Sequence, residues 1–276
     1  LEEIAERYSK MLEYYCARFF NYNPNWLPSV PDVVQEAYLR ATKDIEKVMA
    51  ASSPAAWLKL CCQHIMLNML RQKRHRKELL RFLLVKTAAV RQGVKPAELL
   101  RVRHCYSGVN AEGLRVCLYR SDIYCILGLD YVELNVQEDS SLVLFYNPQT
   151  LAATLAEPRN ARWLARMGYP ADTSMEGGTE VLQGMLAHLV NRAAACELPH
   201  EVGVFIGYPL KDVAGFMQRI PATPVHHGAW RVYGGADESL RRMRLYANAE
   251  ANAAQVLDRS RGIEEFINAI SARKAS

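Results

Sequence analysis

The chain of 276 residues lacks several features that would assign it to a familiar class of protein. Its seven cysteines form no CxxC pair, and no apolar run approaches the roughly 20 residues that a membrane-spanning helix needs. The N-terminal segment is acidic and amphipathic and does not resemble a signal peptide. Scattered thiols are typical of a reducing compartment, where cysteine packs as a small hydrophobic residue. We therefore expect a soluble, cytoplasmic protein with no membrane partner.

Glycine and proline are both absent from Ala55 to Gln92, a stretch that begins apolar and turns abruptly basic. A periodic stretch of this length predicts two helices or one bent helix. Residues 1–92 hold 15 Lys and Arg against 9 Asp and Glu, whereas residues 93–276 hold 19 against 20, so the positive charge lies in the N-terminal part. Between Arg71 and Arg91 there are eight basic residues and one acid, Glu78. This asymmetry indicates an anionic partner or, equally, a solvated helix face.

Apolar periodicity predicts two further helices before this stretch. The first carries its apolar stripe from Ile4 to Phe19, and the proline-rich segment Asn21–Pro31 is expected to form a loop. Asp32 is expected to cap the second helix, whose apolar side continues to Val48. Ser52 and Ser53, before Pro54, are expected to start the third. The N-terminal part is therefore predicted as an all-α three-helix unit.

The pattern changes after Gly93–Pro96, where short strands alternate with helices. Strands are predicted at Val132–Val136 and Ser141–Tyr146. Helices are predicted over about 148–167 and 176–195, and strand-like pieces, VGVFIG and GAWRVYG, flank a helix that opens at Pro209. A long helix is predicted from Asp237 to about Ile270. The fold class is therefore two domains: the helical unit at residues 1–92, and an α/β domain with about three to five strands at residues 93–276.

The helix, the loop, and the segments PDVVQEAYLRA and PAAWLKLCCQHIMLNMLRQKRHRK together resemble region 2 of the sigma-70 superfamily. The similarity is greatest to the extracytoplasmic-function sigma factors and covers about residues 1–80. That family shows an acidic residue before VQE and then, about twenty residues later, an aromatic-Leu pair on a helix that ends in Arg and Lys. The resemblance implies binding to core RNA polymerase and to promoter DNA. Capturing bases that leave a duplex requires aromatic platforms beside cations, which this segment offers.

The resemblance also implies roles for individual residues. The positions that contact the polymerase's largest subunit are those of Gln35, Glu36, Tyr38 and Thr42. Lys59, His64 and Asn68 fall on the helix face that reads the minus-ten promoter element. The other residues predicted to bind DNA are suitable by chemical type and are Trp57, Arg71, Lys73, Arg74, Arg76 and Lys77. The link from Lys47 to Ser53 corresponds to the loop that accepts a flipped base.

Structural roles remain open for several of these residues, and the chain departs from the family pattern in two ways. Trp57 and His64 could instead belong to the core, and Gln35 and Glu36 could be plain surface residues. On the third helix, the simplest members of the family carry Arg-Asn and a following Asp. This chain has Gln63, His64 and Asn68 there. We find no second basic helical pair downstream that would serve as region 4, so promoter affinity is expected to be weaker.

From about residue 96 to 272, LPHEVGVFIGYPLKDVAGFM and GAWRVYG resemble a bacterial domain of unknown function, the family numbered 3793. The segment HCYSG at His104–Gly108 is similar to its opening. Where the family carries cysteines, this chain has His227 and Asn248. The resemblance brings no established activity. The candidate site residues in this part are His200, Glu201, Tyr208, His227 and Trp230.

Two adjacent residues, His200 and Glu201, could act as a general base or as metal ligands. Adjacent residues on a strand point to opposite faces, however, and two residues do not make a metal site. Hydrogen bonding within a loop is the default role, so we assign no catalytic residue, metal or cofactor.

We predict a sigma-factor-like transcription initiation or regulatory protein that is not an enzyme. Its C-terminal domain would have an unknown partner or ligand. The alternatives are an interaction or ligand-binding protein that uses the helical unit as a scaffold, and a small hydrolase that uses His200 and Glu201.

Overall fold

The computed structural model describes residues 2–51, 53–104, 106–109, 115–117, 120–170, 178–195, 198–218 and 223–272. The chain divides into two compact units, Leu1–Lys77 and Glu78–Ser276. The domain boundary between residues 92 and 93 stays a prediction. In the described part of the chain, no helix has the length and apolar character needed to cross a membrane.

The first unit is helical. It contains α1 (Glu2–Phe19), a 3-10 turn (Leu27–Ser29), α2 (Val30–Lys43), α3 (Ile45–Ala50) and the first part of α4 (Pro54–Lys86). The predicted first helix is confirmed. The predicted cap at Asp32 is wrong, because α2 begins at Val30 with Ser29 at its N-cap. Asp32 lies instead in the first turn, where its negative charge favours the helix dipole.

The second predicted helix is shorter than expected, because α2 ends at Lys43 and α3 follows as a separate helix. The link from Lys47 to Ser53 therefore begins inside α3, and Ser52 lies outside the described residues. The start of α4 agrees with expectation: Ser53 Oγ accepts a hydrogen bond from the Ala56 amide at 3.3 Å. Thr87 separates α4 from α5 (Ala88–Arg91), so the long periodic stretch forms two helices.

Apolar residues of α1, α2 and α4 form the core of the first unit. Leu12 and Cys16 of α1 pack there with Ala37 of α2 and with Leu58 and Cys62 of α4. Both cysteines are free thiols and fully buried, as expected for cysteine used as a small hydrophobic residue. Further along α4, residues Leu80, Leu83 and Leu84 belong to a core of the second unit.

The second unit contains seven strands and its own helices among the described residues. The strands are β1 (Ala97–Arg103), β2 (Tyr106–Val109), β3 (Arg115–Cys117), β4 (Asp130–Val136), β5 (Ser140–Tyr146), β6 (His226–His227) and β7 (Arg231–Val232). The helices after α5 are α6 (Arg120–Leu127), α7 (Pro148–Ala156), α8 (Pro158–Ala165), α9 (Gly178–Ala195), α10 (Val202–Phe205), α11 (Leu210–Met217), α12 (Asp237–Arg259) and α13 (Ile263–Ala272).

The main sheet has three antiparallel strands in the order β1-β5-β4. Side chains of the central strand β5 alternate between two hydrophobic cores. Leu142 and Leu144 join one core, and Val143 and Phe145 join the other. Burial on both faces explains why β5 reads as a continuous apolar run. The predicted fold class, a helical unit followed by a domain with a small sheet and helices, is confirmed.

Four predicted elements differ from the structure. VGVFIG is not a strand: Val202–Phe205 form the short helix α10, and a short apolar run buried on all sides carries no period that would distinguish the two. GAWRVYG contributes only the two-residue strand β7. The long C-terminal helix is broken between Arg259 and Ile263. The helix predicted over 148–167 is likewise split, at Glu157 before Pro158, because proline cannot continue a helix.

Candidate functional site

One exposed face of α2 carries three of the four residues assigned to polymerase binding. Gln35, Tyr38 and Thr42 recur at helical spacing, so their side chains share one face together with Leu39. With Ser9 and neighbouring residues of α1, this face forms a groove of about 330 Å³. We call it the α2 groove.

The floor of the α2 groove is held by hydrogen bonds between α1 and α2. Tyr38 Oη lies 3.2 Å from Ser9 Oγ and donates to the Ala5 carbonyl at 3.4 Å. Burial raises the pKa of Tyr38, so its phenol stays protonated near neutral pH. Leu39, which was not predicted from the sequence, is 53% exposed beside it. Glu36 lies on the adjacent face, where it accepts a hydrogen bond from Arg40 Nε at 2.9 Å.

A second exposed face lies on α4. Trp57, His64, Asn68 and Arg71 are spaced by seven, four and three residues, which places them along one side of the helix. His64, Asn68 and Arg71 are exposed, whereas Trp57 is half-buried against the core of the first unit. Arg71 Nη1 lies 3.4 Å from Asn68 Oδ1, to which it donates. We call these four residues the α4 stripe.

Two lysines assigned to DNA binding are separated from the α4 stripe. Lys73 follows His64 by nine residues, or two and a half turns at about 3.6 residues per turn, so it points away from His64. Its Nζ lies 4.4 Å from the ring centroid of Trp26, within the range of a cation–π interaction. The prediction that Lys59 shares a face with His64 and Asn68 is wrong, because Lys59 lies five residues before His64 on α4, well off that face. Lys59 Nζ lies instead 5.9 Å from the ring centroid of Tyr15. Of the other predicted residues, Arg74 and Lys77 are exposed and Arg76 is half-buried.

The second unit contains a cavity of about 490 Å³. Its lining is mainly apolar and includes Leu99, Leu198, Val202, Ile206, Val213 and Phe216. Three of the five predicted C-terminal residues, His200, Tyr208 and Trp230, line it as well. The rings of Tyr208 and Trp230 stack with centroids 4.2 Å apart and form an aromatic wall.

A buried carboxylate holds this aromatic wall in place. Asp212 accepts hydrogen bonds from Trp230 Nε1 at 2.8 Å, the Tyr233 amide at 2.9 Å, Ser239 Oγ at 2.6 Å and Lys211 Nζ at 2.8 Å. Burial alone would raise the pKa of Asp212, but these hydrogen bonds, led by that from Lys211, hold it below its usual value. Asp212 is therefore an ionised structural anchor.

A second acidic residue, Glu98, also lines the cavity. Its Oε2 accepts a hydrogen bond from Lys95 Nζ at 2.7 Å, and both side chains are largely buried. Burial raises the pKa of Glu98, and the Lys95 ammonium opposes that rise. Burial and the neighbouring Glu98 carboxylate raise the pKa of Tyr208 to about 12. Tyr208 therefore lines the cavity as a neutral phenol.

The structure places the adjacent residues His200 and Glu201 in different surroundings. His200 is exposed, with its ring edge-on to Phe216 at 5.0 Å. Glu201 is fully buried, where Oε1 accepts hydrogen bonds from Tyr169 Oη at 3.1 Å and from Arg192 Nε. His227 is exposed on β6, outside the cavity lining. No group of three or more His, Cys, Asp or Glu that could hold a metal occurs among the residues that the structure describes.

Asp212, Glu98 and Leu39 were not predicted from the sequence. Asp212 lies in the first turn of α11, in the segment PLKDV, but nothing in its sequence neighbourhood shows that it is buried. Its donors Trp230, Tyr233 and Ser239 lie 18 to 27 residues away. Only the tertiary fold brings them together.

The family model "Sigma-70 region 2" matches residues 4–76, which supports a sigma-factor-like role in polymerase binding and transcription initiation. The model "Protein of unknown function (DUF3793)" matches residues 83–267, about two thirds of the chain. The chain therefore belongs to the DUF3793 family, and both predicted resemblances are confirmed. Searches of curated proteins and of solved structures gave no match.

Proposed function

We propose that this protein is a sigma-like factor that docks on core RNA polymerase through the α2 groove and contacts promoter DNA through the α4 stripe. The observation that carries the proposal is the match of residues 4–76 to sigma-70 region 2 on a compact unit, Leu1–Lys77, that exposes both faces. In this proposal the DUF3793 unit follows region 2 in place of a region 4 helix-turn-helix.

The α2 groove suits a helical protein partner. Leu39 offers an exposed apolar anchor, and Gln35 and Thr42 beside it offer polar groups at the edge. Interfaces of this kind combine an apolar centre with a polar rim. The hydrogen bonds of Tyr38 fix α1 against α2, so the groove does not have to form when the partner arrives.

The α4 stripe suits single-stranded DNA. The amide of Asn68 can pair with a base edge, and Arg71 beside it can neutralise a phosphate. Trp57 adds an aromatic surface at the other end of the stripe. Because Lys73 lies on the opposite side of the helix, we propose that it contacts a different stretch of phosphates from Arg71.

Replacing Leu39 with glutamate is expected to weaken binding to core polymerase by at least about tenfold, because it places a charge at the apolar centre of the interface. The measurement is a titration of the full chain against core polymerase. Met49, which is 68% exposed on α3 outside the groove, supplies the matched control, and Met49→Glu should change the affinity by less than about twofold. Equal losses in the two variants would contradict the assignment of the groove.

Replacing Arg71 with glutamine is expected to flatten the salt dependence of binding to single-stranded promoter DNA by about 0.7 in the log–log slope, the value for one phosphate contact. Fluorescence anisotropy at several salt concentrations measures the slope. Lys43→Gln removes the same charge from the exposed end of α2 and should leave the slope unchanged. If the wild-type chain binds neither polymerase nor DNA, the scaffold alternative replaces this proposal.

A further inference from the structure

We infer that the cavity of the DUF3793 unit binds a small amphipathic molecule with a flat apolar body and a single anionic head group. The inference goes beyond polymerase and DNA binding and does not depend on them.

The apolar body follows from the size and lining of the cavity. Its volume of about 490 Å³ lies in the range of small-molecule sites, which are mostly apolar with a few polar groups that set orientation. Leu99, Val202, Ile206 and Val213 supply aliphatic surface, and the stacked rings of Tyr208 and Trp230 supply a flat wall. A planar ring system matches such a wall better than a branched chain does.

The wall is preorganised, which favours ligand binding over simple collapse of the cavity. Asp212 fixes Trp230 by accepting a hydrogen bond from its indole N–H, and Tyr208 stacks on Trp230 and packs against the buried cluster of Trp230, Val232 and Tyr246. Since these side chains are already ordered, a ligand that stacks on them pays little further conformational entropy.

The anionic head group follows from the charges around the cavity. Both lining carboxylates already have lysine partners, Asp212 with Lys211 and Glu98 with Lys95. The lining also contains the cation Arg231, which has no carboxylate partner in the part of the chain that the structure describes. Its guanidinium carbon lies 5.7 Å from the ring centroid of Phe216, which is 44% exposed at the same side of the cavity.

His200 also packs on Phe216, with its ring centroid 5.0 Å from that of Phe216. Arg231 and His200 therefore stand together around one exposed ring, where an N–H donor set faces solvent. A ligand whose carboxylate is bound there by Arg231 could place its apolar body in the cavity.

Three probes with the same ring and different head groups test the inference: 1-naphthaleneacetate, 1-naphthalenemethanol and 1-naphthalenemethylammonium. Isothermal titration of the full chain should show the acetate binding about tenfold more tightly than the alcohol, and the ammonium most weakly of the three. Failure of all three to bind at about 1 mM, or tightest binding by the ammonium, would overturn the inference.

Variants test whether the probes bind in the cavity or bind non-specifically to the protein surface. Arg231→Gln should weaken acetate binding about tenfold and alter alcohol binding by less than about twofold, because only the head group loses its partner. Leu198→Trp places a bulky ring in the cavity and should weaken both. Arg244→Gln removes an exposed arginine of α12 outside the lining and should change neither. Acetate binding that survives both Arg231→Gln and Leu198→Trp would also overturn the inference.

Discussion

Replacing Asp212 with alanine is expected to lower the free energy of unfolding of the DUF3793 unit by about 2–6 kcal/mol, from roughly 1–3 kcal/mol for each of two buried donors that lose their acceptor. The substitution would leave the indole N–H of Trp230 and the amide of Tyr233 buried without an acceptor, and Lys211 without its counter-ion. Urea denaturation of the full chain, followed by circular dichroism, measures the change.

Asp258 supplies the matched control for this prediction. It pairs with Arg81, but the side chains of both residues are more than half exposed. Asp258→Ala should therefore cost less than about 1 kcal/mol, because exposed ion pairs contribute little. A loss at position 212 no larger than the loss at position 258 would show that Asp212 is not the anchor of the aromatic wall.

The stabilisation by Asp212 should also depend on pH. The folded-state pKa of Asp212 lies below its ordinary value of 3.8, so its ionised form stabilises the fold above that pH. The contribution is lost as the pH falls through the lowered value. The difference in stability between the wild type and Asp212→Ala should thus be constant near neutral pH and shrink only below about pH 4. A difference that shrinks already at pH 6 would contradict a lowered pKa.

Replacing Gly207 with alanine is expected to destabilise the same unit by about 3 kcal/mol or more, through backbone strain and overpacking together. Gly207 has a φ of 84°, in the left-handed region that favours glycine. A Cβ there would lie 2.7 Å from Pro96 Cδ and 2.7 Å from Tyr246 Oη. The Gly207 carbonyl also accepts hydrogen bonds from Arg242 and Tyr246, so displacing Tyr246 would break one of them.

Two other glycines separate these contributions. Gly234 has a φ of 70° and open space around it, so Gly234→Ala should show only the backbone cost, about 1 kcal/mol. Gly235→Ala, with open space and no positive φ, should change stability by less than about 0.5 kcal/mol. The urea midpoint should therefore be highest for Gly235→Ala, lower for Gly234→Ala and lowest for Gly207→Ala. If Gly207→Ala and Gly234→Ala lower the free energy of unfolding equally, the contacts of the new Cβ with Pro96 and Tyr246 add nothing to the backbone strain.

The elements that could be predicted are those with a strong local pattern. Helix α1 and the helix that begins at Pro54 each bury one face. The apolar residues of that face recur at helical spacing, so the sequence predicts the helix. Strands β4 and β5 could be predicted because β-branched and aromatic residues cluster there between turn residues.

The elements that were missed depend on partners distant in sequence. Strand β1 contains Glu98, Leu99, Leu100 and Arg101, which are good helix formers, and its pairing with β5 overrides that preference. In α10, burial on every side removes the period that would reveal a helix.

In the candidate sites, too, what could be predicted rests on local spacing, and what could not depends on residues distant in sequence. Gln35, Tyr38 and Thr42 could be placed on one face because their spacing is helical. The separation of Lys73 from His64 also follows from their spacing along α4. The cavity could not be predicted, since its lining comes from β1, α10, α11 and the segment around β7.

The Asp212 carboxylate has a consequence for how this family can change over evolutionary time. It ties α11 to the indole at position 230 and to the hydroxyl at position 239 at the start of α12. No one of these residues can be replaced freely while the others remain. We therefore expect the three positions to be inherited together: a related chain that lacks the acid at 212 should also have exchanged the tryptophan at 230 and the serine at 239.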